Sequence, residues 1–235
     1  MGDSLSIGRP RLKSGMSIGP QLYAFLRRKI VQNELTPGTR LSENQLARHF
    51  EVSRQPVREA LLKLSLDRLI EILPQRSTRV LGISVENLKE TCFVRCSLES
   101  KSLETFSLLD ERHREEVVAS LRHNIARQRE AAAKNKDREF FALDDDFHRT
   151  ICGISGYGMI ADLIESLRAN LDRIRFLSQG SQPGLETLIS EHAAVADALA
   201  EGDIGKATDI LDMHNSGVLI RLDSIITEHP DCFYV

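Results

Sequence analysis

The sequence predicts a mainly α chain in two parts: three helices closed by a small β-hairpin, then an all-helical bundle. Three observations carry this. Apolar residues recur at helical spacing over most of the 235 residues. Strand-like patterning is confined to one stretch, IEIL and TRVLGI around PQRS. The charge also divides unevenly: residues 1–82 hold 14 Lys+Arg against 7 Asp+Glu, whereas residues 83–235 hold 17 against 27. A basic head on an acidic body predicts a polyanion partner for the head alone.

The length suits two modest domains, each with its own core. Nowhere do about 18 apolar residues run uninterrupted, and the opening residues carry no secretory pattern, so a soluble, cytoplasmic protein without a membrane segment is expected. Cys92, Cys96, Cys152 and Cys232 are few for the length and read as reduced thiols. Residues 1–18 are polar and rich in Gly and Ser, which predicts a flexible arm carrying Arg9, Arg11 and Lys13.

Leu22, Phe25, Leu26 and Ile30 give a first helix that stops at the Pro-Gly of LTPGTR. SENQLARHF opens on a capping-box spacing, Ser42 with Gln45, and begins a second helix with Leu46, Ala47 and Phe50 buried. After the turn EVS, Ser53 is placed to cap a third helix, RQPVREALLKLSLDRL, with Pro56 in the first turn, where its missing N–H costs nothing. With the hairpin these make a winged helix-turn-helix over residues 19–82, and GISVEN is a hinge. A recognition helix needs long polar side chains on its exposed N-terminal turns. Arg54, Gln55 and Arg58 fit, since arginine grips guanine's acceptor pair and glutamine pairs with adenine. Ser53 is a phosphate ligand candidate, Arg40 precedes the second helix, and Arg76 and Arg79 lie on the wing.

The stretches PGTRLSENQLA and VSRQPVREAL resemble the GntR family of bacterial transcription regulators over residues 20–81. The resemblance implies DNA binding as a dimer to a palindromic operator, with Arg54 and Arg58 in the recognition helix. Ser77 stands where the family's wing often carries glycine, and Asp67, Arg68 and Leu69 replace its Glu-Gly-Leu.

From residue 83 onward the pattern is helical, over segments near 85–109, 111–133, 137–153, 157–177, 184–201 and 203–227, with Gly202 and Asp203 as a C-cap and N-cap pair. In DDDFH, Asp144 and His148 are four residues apart and share a helix face. His192 and His214 fall on apolar stripes of two further helices. Any one of these histidines alone reads as a satisfied core residue. Together with Asp144 the three form the ligand set of a divalent metal site. Arg95 is a charge on a mainly apolar face, among Leu88, Cys92 and Leu98; a buried guanidinium needs an anion, supplied by Glu99 one turn later or by a ligand.

FVRCSLES, DDDFHRTI, SEHAAVADALAEGD and LDMHNSG resemble the all-helical FCD effector domain of the FadR-type branch over residues 85–228. The resemblance implies a zinc, nickel or similar ion on Asp144, His148, His192 and His214, and a small carboxylic acid effector paired with Arg95. The expectation is a repressor of a catabolic operon, homodimeric and not an enzyme. The alternative is a metal-dependent enzyme with an accessory DNA module. It lacks an H-E-x-x-H pair, and Glu191, beside His192, is expected to point away from its neighbour's face.

Overall fold

The computed structural model describes residues 7–73, 78–178 and 184–234. Helix α1 (Ile18–Val31) buries Leu22, Phe25, Leu26 and Ile30. The chain then turns at Gly38, whose φ of +82° suits a residue without Cβ. Strand β1 (Arg40–Leu41), α2 (Glu43–Phe50) and α3 (Arg54–Leu66) follow. Ser42 Oγ accepts the Gln45 N–H at 3.4 Å, the predicted cap. The predicted cap at Ser53 does not form, because its hydroxyl makes no cap hydrogen bond. Val57, Ala60, Leu61 and Leu64 are the buried stripe of α3.

Strands β2 (Ile70–Ile72) and β3 (Thr78–Val80) pair antiparallel, Ile70 opposite Val80. β1 pairs with the other edge of β3, so the wing is a three-stranded sheet. The sequence predicts only the hairpin, since two residues of β1 are too few to show alternation. Arg68, in the position of the family's glycine, has φ +55°. It takes the left-handed conformation that ends α3 despite its Cβ.

Short strand β4 (Ile83–Ser84) leads into α4 (Val85–Glu104), where Ser84 Oγ accepts the Asn87 N–H at 3.1 Å. The remaining helices are α5 (Glu111–Ala133), α6 (Asp137–Gly153), α7 (Met159–Leu167), α8 (Ala169–Leu177), α9 (Leu185–Ala200), α10 (Ile204–Ile220) and α11 (Leu222–Glu228). The single helices predicted over 157–177 and 203–227 are each broken, at Arg168 and Arg221, where ψ falls to 2° and 0°. Neither break carries a glycine or proline to announce it. Gly202 has φ +78° and Asp203 accepts the Lys206 N–H at 3.0 Å, the predicted cap pair. A final strand, β5 (Phe233–Tyr234), pairs parallel with β4 and is unannounced by the sequence.

The chain is therefore mainly α, a winged helix-turn-helix followed by an all-helical bundle. It forms two compact units. The first contains the described residues through Leu88, Ser166–Ser178, and the described residues from Asp223 onward. Its core joins α1, α2, α3 and the wing, and Ala169 of α8 belongs to that core. Arg27 and Asp172 tie α1 to α8 at 2.6 Å. The described part of the expected arm is also held: Ile7 is buried in this core, His49 Nε2 lies 2.8 Å from the Gly8 carbonyl, and Arg9 pairs with Glu51 at 2.6 Å. Leu12 packs against the same core, and Gln21 hydrogen-bonds the backbone of Lys13; polar composition hid this, because few apolar residues fix the segment.

The second unit contains Lys89–Glu165 and the described residues through Leu222. Its core is built from Leu121 and Ile125 of α5, Phe140, Leu143, Phe147 and Ile151 of α6, Val195 and Leu199 of α9, and Leu211 of α10. No described helix is long and apolar enough to cross a membrane.

Candidate nucleic-acid interface and metal centre

In the first unit, Ser53, Arg54, Gln55 and Arg58 are all exposed at the start of α3, opposite its buried stripe. Gln55 Nε2 donates to Glu59 Oε1 at 3.1 Å. Arg40 and Arg79 are both exposed and are cross-strand partners in the wing sheet. Arg79 also pairs with Glu71 at 2.8 Å. Arg76 lies outside the described residues. A surface cleft of about 520 Å³ runs along α2 and the turn, lined among others by Asn44, Arg48, Ser53 and Arg54. Asn44 and Arg48 escaped the sequence reading, although Arg48 is four residues after Asn44 on the exposed side of α2.

In the second unit, Asp144 and His148 of α6, His192 of α9 and His214 of α10 converge, with one ligand atom from each lying within 4.8 Å of the others. Asp144, His148 and His192 are almost fully buried. The histidine stripes are thus inward-facing, and Phe147 stacks on His192 with centroids 4.0 Å apart.

The outer partners fix how each ring presents itself. His148 Nδ1 lies 2.8 Å from Glu99 Oε2, and His214 Nδ1 lies 2.6 Å from Glu191 Oε2. A carboxylate only accepts, so each Nδ1 carries the proton. His192 Nδ1 lies 2.9 Å from Gln128 Oε1, whose own amide donates to Asn124 Oδ1 at 2.8 Å. That relay sets the amide orientation, and His192 Nδ1 is likewise protonated. In the neutral rings every Nε2 then presents a lone pair inward.

Two of these nitrogens, on His192 and His214, are only 3.3 Å apart, and His192 Nε2 is 3.6 Å from Asp144 Oδ1. His148 Nε2 is buried without a hydrogen-bond partner among the described residues. Burial lowers the pKa of both His148 and His192, the latter well below its ordinary value even though Asp144 opposes the shift. Facing lone pairs repel, and burial disfavours a second proton on His192 that would relieve them. A cation resolves the conflict: two nitrogens sharing one tetrahedral ion at about 2.0–2.1 Å stand about 3.3–3.4 Å apart. The donor set therefore fits a divalent ion.

Arg95 is buried and gives its Nε–H to Glu99 Oε1 at 2.8 Å. Glu99 is fully buried and also accepts from Asn215 Nδ2 at 2.9 Å. Burial alone would raise its pKa, but Arg95, His148 and Asn215 together hold it well below the usual carboxylate range. Glu99 thus answers the anion requirement of Arg95 and orients His148 at once. The sequence offers Glu99 as a partner of Arg95, which the structure shows, but not as the acceptor behind His148, and it gives Gln128 and Glu191 no place in the site. Glu191 was set aside because it points away from His192, yet it serves the histidine of the next helix.

Comparison with known proteins gives the family of both parts of the chain. Residues 19–80 match the bacterial regulatory proteins of the gntR family, and residues 90–217 match the FCD domain. The chain belongs to the GntR family. Among GntR relatives it is 33% identical to the HTH-type transcriptional repressor RspR of Escherichia coli (strain K12), over 95% of this chain and 96% of that one. It is 28% identical to the gluconate operon transcriptional repressor of Bacillus licheniformis, over 81% and 79%. Of solved structures, E. coli McbR/YncC shares the fold with a TM-score of 0.67 at 20% identity, covering 91% and 99%. The chain is accordingly a GntR transcription regulator with an FCD effector domain, a binder of operator DNA and not an enzyme.

Proposed function

We propose that the chain represses a catabolic operon in the cytoplasm, binding a palindromic operator as a homodimer and answering to a small carboxylic acid. Arg54, Gln55 and Arg58 read base edges, while Arg40, Ser53, Arg76 and Arg79 hold backbone phosphate. Asp144, His148, His192 and His214 hold a divalent ion, zinc or nickel. When bound, that ion supplies a positive centre with affinity for the oxygens of a carboxylate. Arg95 contributes guanidinium donors to the same acid, and Glu99 keeps that guanidinium oriented by holding its Nε–H. Coupling to DNA requires only that the acid bind one dimer arrangement better than another.

The observation that carries this reading is the inward convergence of the Nε2 lone pairs, each fixed by an acceptor behind it. The names of two relatives, a repressor and a gluconate operon repressor, support repression and an organic acid. Elemental analysis tests the metal: the wild-type chain should carry about one divalent ion and His192→Ala almost none. Full occupancy in the variant refutes the ligand set. A thermal-shift screen of small carboxylates should give a stabilising acid whose effect disappears with a chelator.

A further inference from the structure

The described part of the N-terminal arm is docked on the head. Ile7 is 3% exposed within the core of α1, α2 and α3, and Leu12 packs against the same core. Between them, the Gly8 carbonyl accepts from His49 Nε2 at 2.8 Å. Gln21 holds the Lys13 backbone twice, accepting its N–H at 2.7 Å and donating to its carbonyl at 3.2 Å. Apolar anchors and backbone contacts together fix residues 7–13 in one course past the C-terminal end of α2.

That course carries Arg9, Arg11 and Lys13 and no acid, and all three cations are exposed. Arg9 Nη1 donates to Glu51 Oε1 at 2.6 Å. Glu51 stands just beyond α2 with φ +56°, a left-handed position that favours glycine over any side chain. It also lines the cleft that reaches Ser53 and Arg54 at the start of α3. Among the described residues, Glu51 is the one acid in that lining, beside Arg48 and Arg54.

An exposed ion pair adds little to folding, because water screens it and two long side chains must be held in place. Its setting changes when a duplex lies across the cleft. Water is then excluded, phosphate stands near the Glu51 carboxylate, and like charges repel more strongly in the lower dielectric. Arg9 cancels that repulsion and keeps Glu51 from competing with phosphate for Arg48 and Arg54.

We propose that the docked arm is part of the DNA surface and that Arg9 is a positioning residue for operator binding, neutralising Glu51 where the phosphate backbone passes the cleft. The inference rests on the placement of DNA at the start of α3. Arg11 and Lys13, carried on the same stretch, add to the positive field of the head.

The test titrates the full-length chain against a fluorescent mixed-sequence duplex of about 30 base pairs at several salt concentrations, since phosphate contacts need no particular sequence. Arg9→Ala should weaken binding about 3–10-fold at low salt and leave the thermal midpoint unchanged. Arg9→Lys, which keeps the charge, should bind as the wild type does. Adding Glu51→Gln to Arg9→Ala should restore most of the loss, because the uncompensated acid is then gone. Undiminished binding by Arg9→Ala overturns the proposal. So does a double variant no better than Arg9→Ala, which would make Arg9 a direct phosphate ligand. Arg54→Ala separates this failure from that of the DNA surface itself. If Arg54→Ala binds as the wild type does, the surface is misplaced; if it weakens binding and Arg9→Ala does not, the arm alone is misassigned.

Discussion

At the residue scale, the metal candidates owe their geometry to acceptors that are not ligands. Glu191 and Gln128 each hold an Nδ1–H and so turn an Nε2 inward. Glu191→Ala or Gln128→Ala should therefore weaken divalent-ion affinity by about 10–100-fold without removing a ligand, measured by chelator competition. The buried histidines also set a pH dependence for the metal-free chain. His148 and His192 have lowered pKa values when folded, so below the unfolded value near 6.5 the unfolded state binds protons that the folded state does not. Stability is then present above that pH and is lost as pH falls, by up to about 1.4 kcal/mol per pH unit for each histidine. Urea unfolding with chelator at pH 7.5 and 5.5 should show the loss. Glu99 adds a further loss only below its ordinary carboxylate range.

At the element scale, Gly82 shows how β4 and β5 meet. A Cβ there would lie 2.7 Å from the Phe233 carbonyl carbon and the Tyr234 nitrogen, backbone atoms that cannot rotate away. Gly82→Ala should cost about 1–3 kcal/mol by chemical denaturation. An unchanged midpoint would show that the pairing contributes nothing to stability. The sequence reveals elements where a period is long enough to read. Leu22, Phe25, Leu26 and Ile30 announce α1, and DDDFH announces the shared face of Asp144 and His148. It conceals the breaks at Arg168 and Arg221, which no glycine or proline marks. It conceals β1 and β5 as well, because two residues carry no period. Asp144, His148, His192 and His214 were legible because helical spacing and burial coincide. Their outer partners were not, since Glu99, Gln128 and Glu191 find their histidines across helices that sequence order does not pair.

At the scale of the whole molecule, the net positive charge of residues 1–82 lies on the part that matches the gntR family's DNA-binding region, and the net negative charge on the part that matches the FCD domain. Neutralising phosphates releases counterions, so operator affinity should fall steeply with salt. Arg58→Ala should cost about 1–3 kcal/mol of operator binding and leave the second unit folded. A fluorescence titration at several salt concentrations checks both, and an affinity insensitive to ionic strength would count against the assigned DNA surface.

The first unit is assembled from three separate stretches of chain, with α8 and the segment from Asp223 joining the helices that precede Leu88. A chimera cut once near residue 82, joining this head to a foreign effector domain, would leave behind Ala169, the Asp172 partner of Arg27, and strand β5. Such a graft would expose part of the head's own core. A working exchange of specificity must carry three pieces across, because the first unit draws on three stretches of the chain.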